Sequence, residues 1–283
     1  MPQFNILSLS GGGFLGLYTV SVLAELEALM GRRVAHQVDL LAGTSVGGII
    51  ALGLAAEVPA ATIKTAFERN GVSIFSNRPA PVTRSEIVRD VARAIWKPKY
   101  QADALYRTIT EIVGAETRIG DLKHRVIVPT VNLTKGKPQL FKTPHHPDFR
   151  TDLHLRVADV ALATASAPIY FPIAEIEDSL YADGGLYANS PDLLALHEVE
   201  HFLQQQVDAI HVLSIGTTTS QFSFAHAIGR QLGSLGWLSE QRLMNVIIAS
   251  QQHAVDFMMR HRLGDRYLRL DADQSEEQER HLA

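Results

Sequence analysis

Asp39-Leu40-Leu41-Ala42-Gly43-Thr44-Ser45-Val46-Gly47-Gly48-Ile49-Ile50 reads as a short apolar strand, a G-x-S-x-G turn and the opening of a helix. Glycines on both sides of the serine relieve crowding where the chain turns sharply from strand to helix, which leaves Ser45 Oγ exposed at the tip. The helix behind it points its positive end at that oxygen and favours negative charge developing there. In the competing reading Ser45 does no more than cap the helix.

Toward the N-terminus, Ser8-Leu9-Ser10-Gly11-Gly12-Gly13-Phe14-Leu15-Gly16 joins a strand at 4–8 to a helix running to Met30. Three successive glycines expose backbone N–H groups at a helix N-terminus, which makes an anion site. Gly11, Gly13 and Gly16 fit a dinucleotide fingerprint, but the acidic residue wanted at the end of the second strand is replaced by Gly43-Thr44-Ser45. The anion is equally well the oxyanion of an acyl-transfer intermediate, or the loop is a plain turn. On its own it does not choose.

Further outward, strand-like and helical segments alternate. Strands are expected at 38–42, 125–133, 139–142, 180–182, 209–215 and 267–270. Helices are expected at 47–56, in two parts between 59 and 114, at 155–165, 190–206 and 230–262. Such alternation predicts an α/β fold, a mostly parallel central sheet with helices on both faces. One domain over 1–270 is expected, followed by a polar, acidic tail at 271–283.

A nucleophilic serine needs a base, and Tyr181-Ala182-Asp183-Gly184-Gly185 offers a carboxylate at a strand end with two glycines clearing space beside it. Together, Gly11-Gly12-Gly13-Phe14-Leu15-Gly16, Gly43-Thr44-Ser45-Val46-Gly47 and Asp183-Gly184-Gly185 resemble the three signature blocks of the patatin-like phospholipases. Ala161–Pro168 with Phe171-Pro172, and Leu213–Thr217, are similar to further segments of that family, so the resemblance spans about residues 4–217. It implies a three-layer α/β/α fold and hydrolysis of lipid acyl esters by a Ser45–Asp183 dyad, without a catalytic histidine, metal or organic cofactor. Gly11, Gly12 and Gly13 would form the oxyanion hole, with Gly16, Gly43, Gly47, Gly184 and Gly185 supporting the motifs. The family loop usually begins with Asp and carries Arg before its last glycine; here those places hold Ser10 and Leu15. The missing arginine removes a charge that would brace the loop or meet a lipid phosphate. The opening Ile6–Gly13 also looks like the bacterial patatin-like effectors of anti-phage signalling, which cyclic nucleotides switch on against the host inner membrane. That implies a cytoplasmic enzyme, peripheral at the membrane when active, with a cyclic-nucleotide activator. The alternatives are a Rossmann-like nucleotide binder and a catalytically silent lipid-binding module.

Composition agrees with a globular chain. The chain has 283 residues, 46% hydrophobic and 20% charged, so disorder is not expected. A net charge of -4 gives no footprint for a nucleic-acid polymer, and zero cysteines exclude disulfides and thiolate metal sites. No apolar stretch is expected to reach the ~18–20 residues that cross a bilayer; the best candidate, Val46–Ala56, stops at Glu57 and Pro59. His197-Glu198-Val199-Glu200-His201 satisfies the zinc-protease H-E-x-x-H pattern. It is read instead as a solvated helix face, with Leu193, Leu196 and Leu203 as the buried stripe and the charged positions outward. His145-His146, between prolines, reads as an exposed turn. His197, His211, His226 and His253 are the candidates for completing a triad. Trp237, Leu238, Val246, Ile247, Phe257 and Met258 read as core packing, and Lys97, Lys99 and Arg107, near Trp96 and Tyr100, as solvated side chains able to meet anionic headgroups. Headgroup preference, acyl position and oligomeric state are not encoded in any motif.

Overall fold

A computed structural model describes residues 3–75, 98–217, 233, 236–237 and 242–272. Trp96, Lys97, His226, Leu238 and the tail from 273 lie outside the described residues.

Apolar β-branched and leucine runs form the sheet. Its strands are β1 (Phe4–Leu9), β2 (Leu40–Gly43), β3 (Val126–Asn132), β4 (Lys137–Lys142), β5 (Ala174–Ile176), β6 (Ser179–Asp183), β7 (Ile210–Ile215) and β8 (Tyr267–Leu270). They lie in the order β5-β6-β3-β2-β1-β7-β8, with β4 also paired to β3. The centre, β3-β2-β1-β7-β8, is parallel, while β4 and β6 run antiparallel to β3 and β5 antiparallel to β6. The expected α/β sheet is therefore present, with an antiparallel edge. β5, three residues long, falls below what periodicity can detect.

Helices α1 (Gly16–Met30), α2 (Val46–Ala55), α3 (Ala60–Phe75), α4 (Ala102–Val113) and α5 (Val157–Ala165) cover one face. The one-turn α6 (Gly185–Ala188), α7 (Asp192–His201) and α8 (Arg242–Leu263) follow, and α7 and α8 cover the other. Strand periodicity divides the core between the two faces: Leu7, Leu9 and Leu41 point into the first, Phe4, Ile6, Leu40 and Ala42 into the second. α2 is buried along its whole length, as a helix of Val, Ile, Leu, Ala and Gly must be.

Several expectations change. Gly13–Met30, not Val46–Ala56, is long and apolar enough by length and composition to cross a membrane, despite Glu25 and Glu27. In the fold it is a packed layer helix: Thr19, Val20 and Leu23 are buried, and Glu27 accepts hydrogen bonds from the N–H groups of Val34 (3.0 Å) and Ala60 (2.8 Å). α7 ends at His201 rather than 206, because Gln204 turns into the left-handed region at φ 54. Its Glu198 points inward rather than to solvent, where its carboxylate accepts hydrogen bonds from Lys142 Nζ at 2.6 Å and pairs with His145 Nε2 at 3.0 Å. His145 is accordingly a buried partner, its side chain 2% exposed, and not part of an open turn. α8 faces the core with Ala249, Gln252, Met259 and Leu263, whereas Phe257 and Met258 are exposed. Asp271, where the acidic tail is expected to begin, pairs with Arg269 at 2.7 Å.

Candidate active site

Backbone pairing brings the serine and aspartate blocks together. Ile127 of β3 pairs with Ala42 on one side and Lys142 on the other; three residues on, Thr130 pairs with Gln139 and Asp183. β4 thus occupies one edge of β3, and β2 and β6 share the other, approaching head-on. The serine turn leaves β2 where β6 delivers Asp183.

Ser45 sits at φ 57, ψ −127, outside the regions a non-glycine residue prefers, as a sharp strand-to-helix turn requires. Gly47 makes that turn possible: a β-carbon there would meet Leu9 O at 2.4 Å. The Ser45 side chain makes no capping hydrogen bond to α2, so its hydroxyl is not spent on the helix. Its N–H donates to Thr164 Oγ1 at 3.0 Å, and that hydroxyl donates onward to Pro129 O of β3 at 2.7 Å. Thr164 thereby fixes the turn to the sheet.

Asp183 is 4% exposed and its N–H donates to Ser166 O at 3.0 Å. Its carboxylate accepts the Gly185 N–H at 2.7 Å. Burial pushes its pKa up to about 6; the Ser45 hydroxyl and the Gly185 amide act against that shift as hydrogen-bond partners. No cation or histidine contacts Asp183 among the described residues. His197 and His201 stack on each other on the exposed side of α7, and His211 turns to Ala209 O.

The glycine loop lies against the serine: a β-carbon on Gly11 would come within 3.0 Å of Ser45 Cβ and 2.5 Å of Asn189 Oδ1. Gly11 is not available as an oxyanion donor, which corrects the sequence reading. Its N–H donates to Asn189 O at 3.0 Å, and its carbonyl accepts from Asn189 Nδ2 (3.2 Å) and Thr217 Oγ1 (2.8 Å). Gly11 is the anchor of the loop. The Gly12 and Gly13 amides have no acceptor among the described residues.

Motif reading missed the groups that hold these parts. Gln251 of α8 donates to Leu186 O at 3.0 Å and accepts from the Asn189 N–H at 3.3 Å, clasping the turn that follows Asp183. Ser10 Oγ meets Ser190 Oγ at 2.8 Å, and Ser190 Oγ in turn accepts from Arg269 Nη1 at 3.0 Å. Arg269 lies 3.9 Å from the fully buried Asp192, which also accepts hydrogen bonds from Ser214 and Tyr267. A charged network therefore braces the loop from beneath, and its arginine comes from β8, not from position 15.

The family model described as patatin-like phospholipase matches residues 7–196. A Pseudomonas aeruginosa protein named cGAMP-activated phospholipase is 45% identical over 96% of this chain and 79% of its own length. Proteins of the same name from Vibrio cholerae and Escherichia coli are 40% and 37% identical, over 88% and 95% of this chain and 75% and 80% of theirs. The glycine loop, the serine turn and the aspartate block, joined by the geometry above, lie inside the matched span. This chain belongs to the patatin-like phospholipase family.

Proposed function

We propose that this chain hydrolyses acyl esters of phospholipids through a Ser45–Asp183 dyad, with the Gly12 and Gly13 N–H groups as oxyanion donors. One observation carries the reading: the uncapped Ser45 hydroxyl faces a buried carboxylate that has no cationic partner among the described residues. An isolated carboxylate near its ordinary pKa is a feeble base toward a serine hydroxyl. Burial brings Asp183 to about 6, near the working pH, where general-base catalysis is most effective. In the first half-reaction Ser45 Oγ bonds to the acyl carbon and its proton passes to Asp183. The carbonyl oxygen takes the negative charge against the glycine amides and the N-terminus of α2. Collapse of the intermediate expels the lysolipid alkoxide, which takes the proton back from Asp183. Water repeats the sequence on the acyl-serine, releases the fatty acid and restores the hydroxyl. Each lost oxyanion donor costs about 3–4 kcal/mol of barrier.

The substrate's surface is the second part of the proposal. The segment leaving Asp183's partner Ser166 carries Ile169 and Ile173, 48% and 57% exposed. The backbone of Ile169 and Tyr170 accepts the N–H groups of Lys99 and Tyr100, and Lys99 Nζ lies 5.2 Å from the Tyr100 ring. Apolar tips beside a lysine suit peripheral docking on an anionic membrane. The relatives' name, cGAMP-activated phospholipase, supports a cyclic dinucleotide as activator. We propose further that the enzyme works in the cytoplasm as an antiviral effector that attacks the inner membrane when that signal rises.

The test is lipid-product mass spectrometry on purified protein with mixed phospholipid vesicles, with and without a panel of cyclic di- and trinucleotides. Fatty acid and lysolipid are expected only with the activating nucleotide, and Ser45→Ala abolishes them. A folded Ser45→Ala protein that retains wild-type rates overturns the dyad. Equal activity with and without every nucleotide overturns the activation. Serine labelling by a fluorophosphonate probe separates an activated Ser45 from a silent lipid-binding module.

A further inference from the structure

At the opposite end of α2 from Ser45, three side chains from distant parts of the sequence converge. His36 comes from the 3-10 turn Val34–Gln37 before β2, Glu57 from the residues just past α2, and His124 from the segment entering β3. Glu57 holds a left-handed backbone at φ 63, uncommon for a residue with a β-carbon, which turns the chain back at this point. Its Oε1 lies 3.0 Å from His36 Nε2 and 3.6 Å from His124 Nε2, and the donor atoms of all three residues fall within 4.8 Å of one another. His124 Nε2 is buried and has no hydrogen-bond partner, so a nitrogen faces a carboxylate without closing a bond to it. The two imidazole rings lie 5.1 Å apart. Donors on a tetrahedral ion with bonds of ~2.0–2.1 Å are separated by about 3.4 Å, and the two His–Glu spacings bracket that value.

We propose that His36 Nε2, Glu57 Oε1 and His124 Nε2 bind one zinc-class divalent ion, with water as the fourth ligand. Two imidazoles and a carboxylate suit zinc and its transition-metal neighbours, and not calcium or magnesium, which take oxygen ligands. The ion is structural. At ~1.5 Å per residue the ten residues of α2 put this cluster about 15 Å from the serine, too far to touch a bound ester. What it joins is the lead-in to β2, the lead-in to β3 and the C-terminal end of the helix whose other end carries the nucleophile. These three segments are remote in sequence, so no motif spacing announces the site. His197 and His201, which do have motif spacing, are not part of any cluster of three metal-ligating groups among the described residues.

The experiment uses the full chain, stripped with a chelator and titrated calorimetrically with zinc chloride, then with calcium chloride. One equivalent of zinc is expected to bind at micromolar affinity or tighter, with no saturable calcium binding. His36→Ala, at an exposed position that leaves the core untouched, and Glu57→Gln each weaken zinc at least about tenfold. The double variant His197→Ala/His201→Ala binds as the wild type does. In parallel, saturating zinc raises the wild-type melting temperature by roughly 5 °C and leaves that of His36→Ala in place. No saturable zinc binding, binding that His36→Ala leaves unchanged, or binding lost only in the 197/201 double variant each overturns the proposal.

Discussion

Asp183 and Glu198 are both buried carboxylates, fifteen positions apart, yet their surroundings drive them in opposite directions. Among the described residues Asp183 meets one hydroxyl and one amide, and burial lifts its pKa to about 6. Around Glu198 stand Lys142 at 2.6 Å and His145 at 3.0 Å, and these partners outweigh burial and hold the carboxyl below its ordinary value. The same removal from water thus raises the pKa of one carboxyl and leaves the other a fixed anion, and the counter-charge decides which. Glu198 ties α7 to β4 and the loop after it. Among the described residues, no counter-charge meets Asp183.

The sharpest way to break this contrast is Asp183→Asn. Esterase turnover is expected to fall about 10⁴-fold. The melting temperature at pH 8 stays the same or rises, because ionising Asp183 in the folded protein costs about 3 kcal/mol. A variant that melts lower at pH 8 and keeps its turnover would contradict both halves. Next, Glu198→Gln removes the anion and strands two buried partners. A loss of about 3 kcal/mol in denaturant unfolding is expected, with turnover per folded molecule retained.

pH separates the two carboxylates again. Asp183 binds its proton more tightly folded than unfolded, so its contribution to stability is fully present below about pH 4 and is lost as pH rises through about 6. Over the same range turnover is expected to rise, since only the ionised form can accept the serine proton. A pH–rate profile flat between 5 and 7 would remove Asp183 as the base. The smallest effect belongs to Gln251→Ala. Loosening the turn after Asp183 is expected to lower kcat about tenfold, with KM and folding stability changing much less. An unchanged kcat would show that α6 and Asn189 hold the turn without α8.

Much of this was legible in the sequence because local chemistry carried it. The strand–turn–helix around Ser45, the glycine loop and the Asp183 block depend on glycines and on neighbours within a few residues, and each lies where its pattern requires. The failures around the site share one cause: long-range partners. The stripe Leu193, Leu196 and Leu203 made Glu198 look outward, since nothing within α7 reveals a lysine waiting on β4. His145 looks open for the same reason: its partner Glu198 lies far along the chain. Gly11 looks like an oxyanion donor in the sequence pattern because its acceptor, Asn189, is far away along the chain. Thr164 and Gln251 have no chemical signature of their own; only the fold shows which carbonyls and amides they reach.

One consequence of the head-on meeting of β2 and β6 concerns how such a catalyst can diversify. Both strands are measured off against the same backbone edge of β3, so the gap between hydroxyl and carboxylate is set by ladder register and not by the lengths of the connections between them. The loops among the roughly 140 residues between position 45 and position 183 can accept insertions, new lips or new docking surfaces without changing that gap, provided β3 and Thr164 keep their places. A slip of two residues along β3, by contrast, would part the pair by about 7 Å. Substrate range can therefore drift by loop exchange, while the chemistry stays pinned to a single strand that takes no part in it.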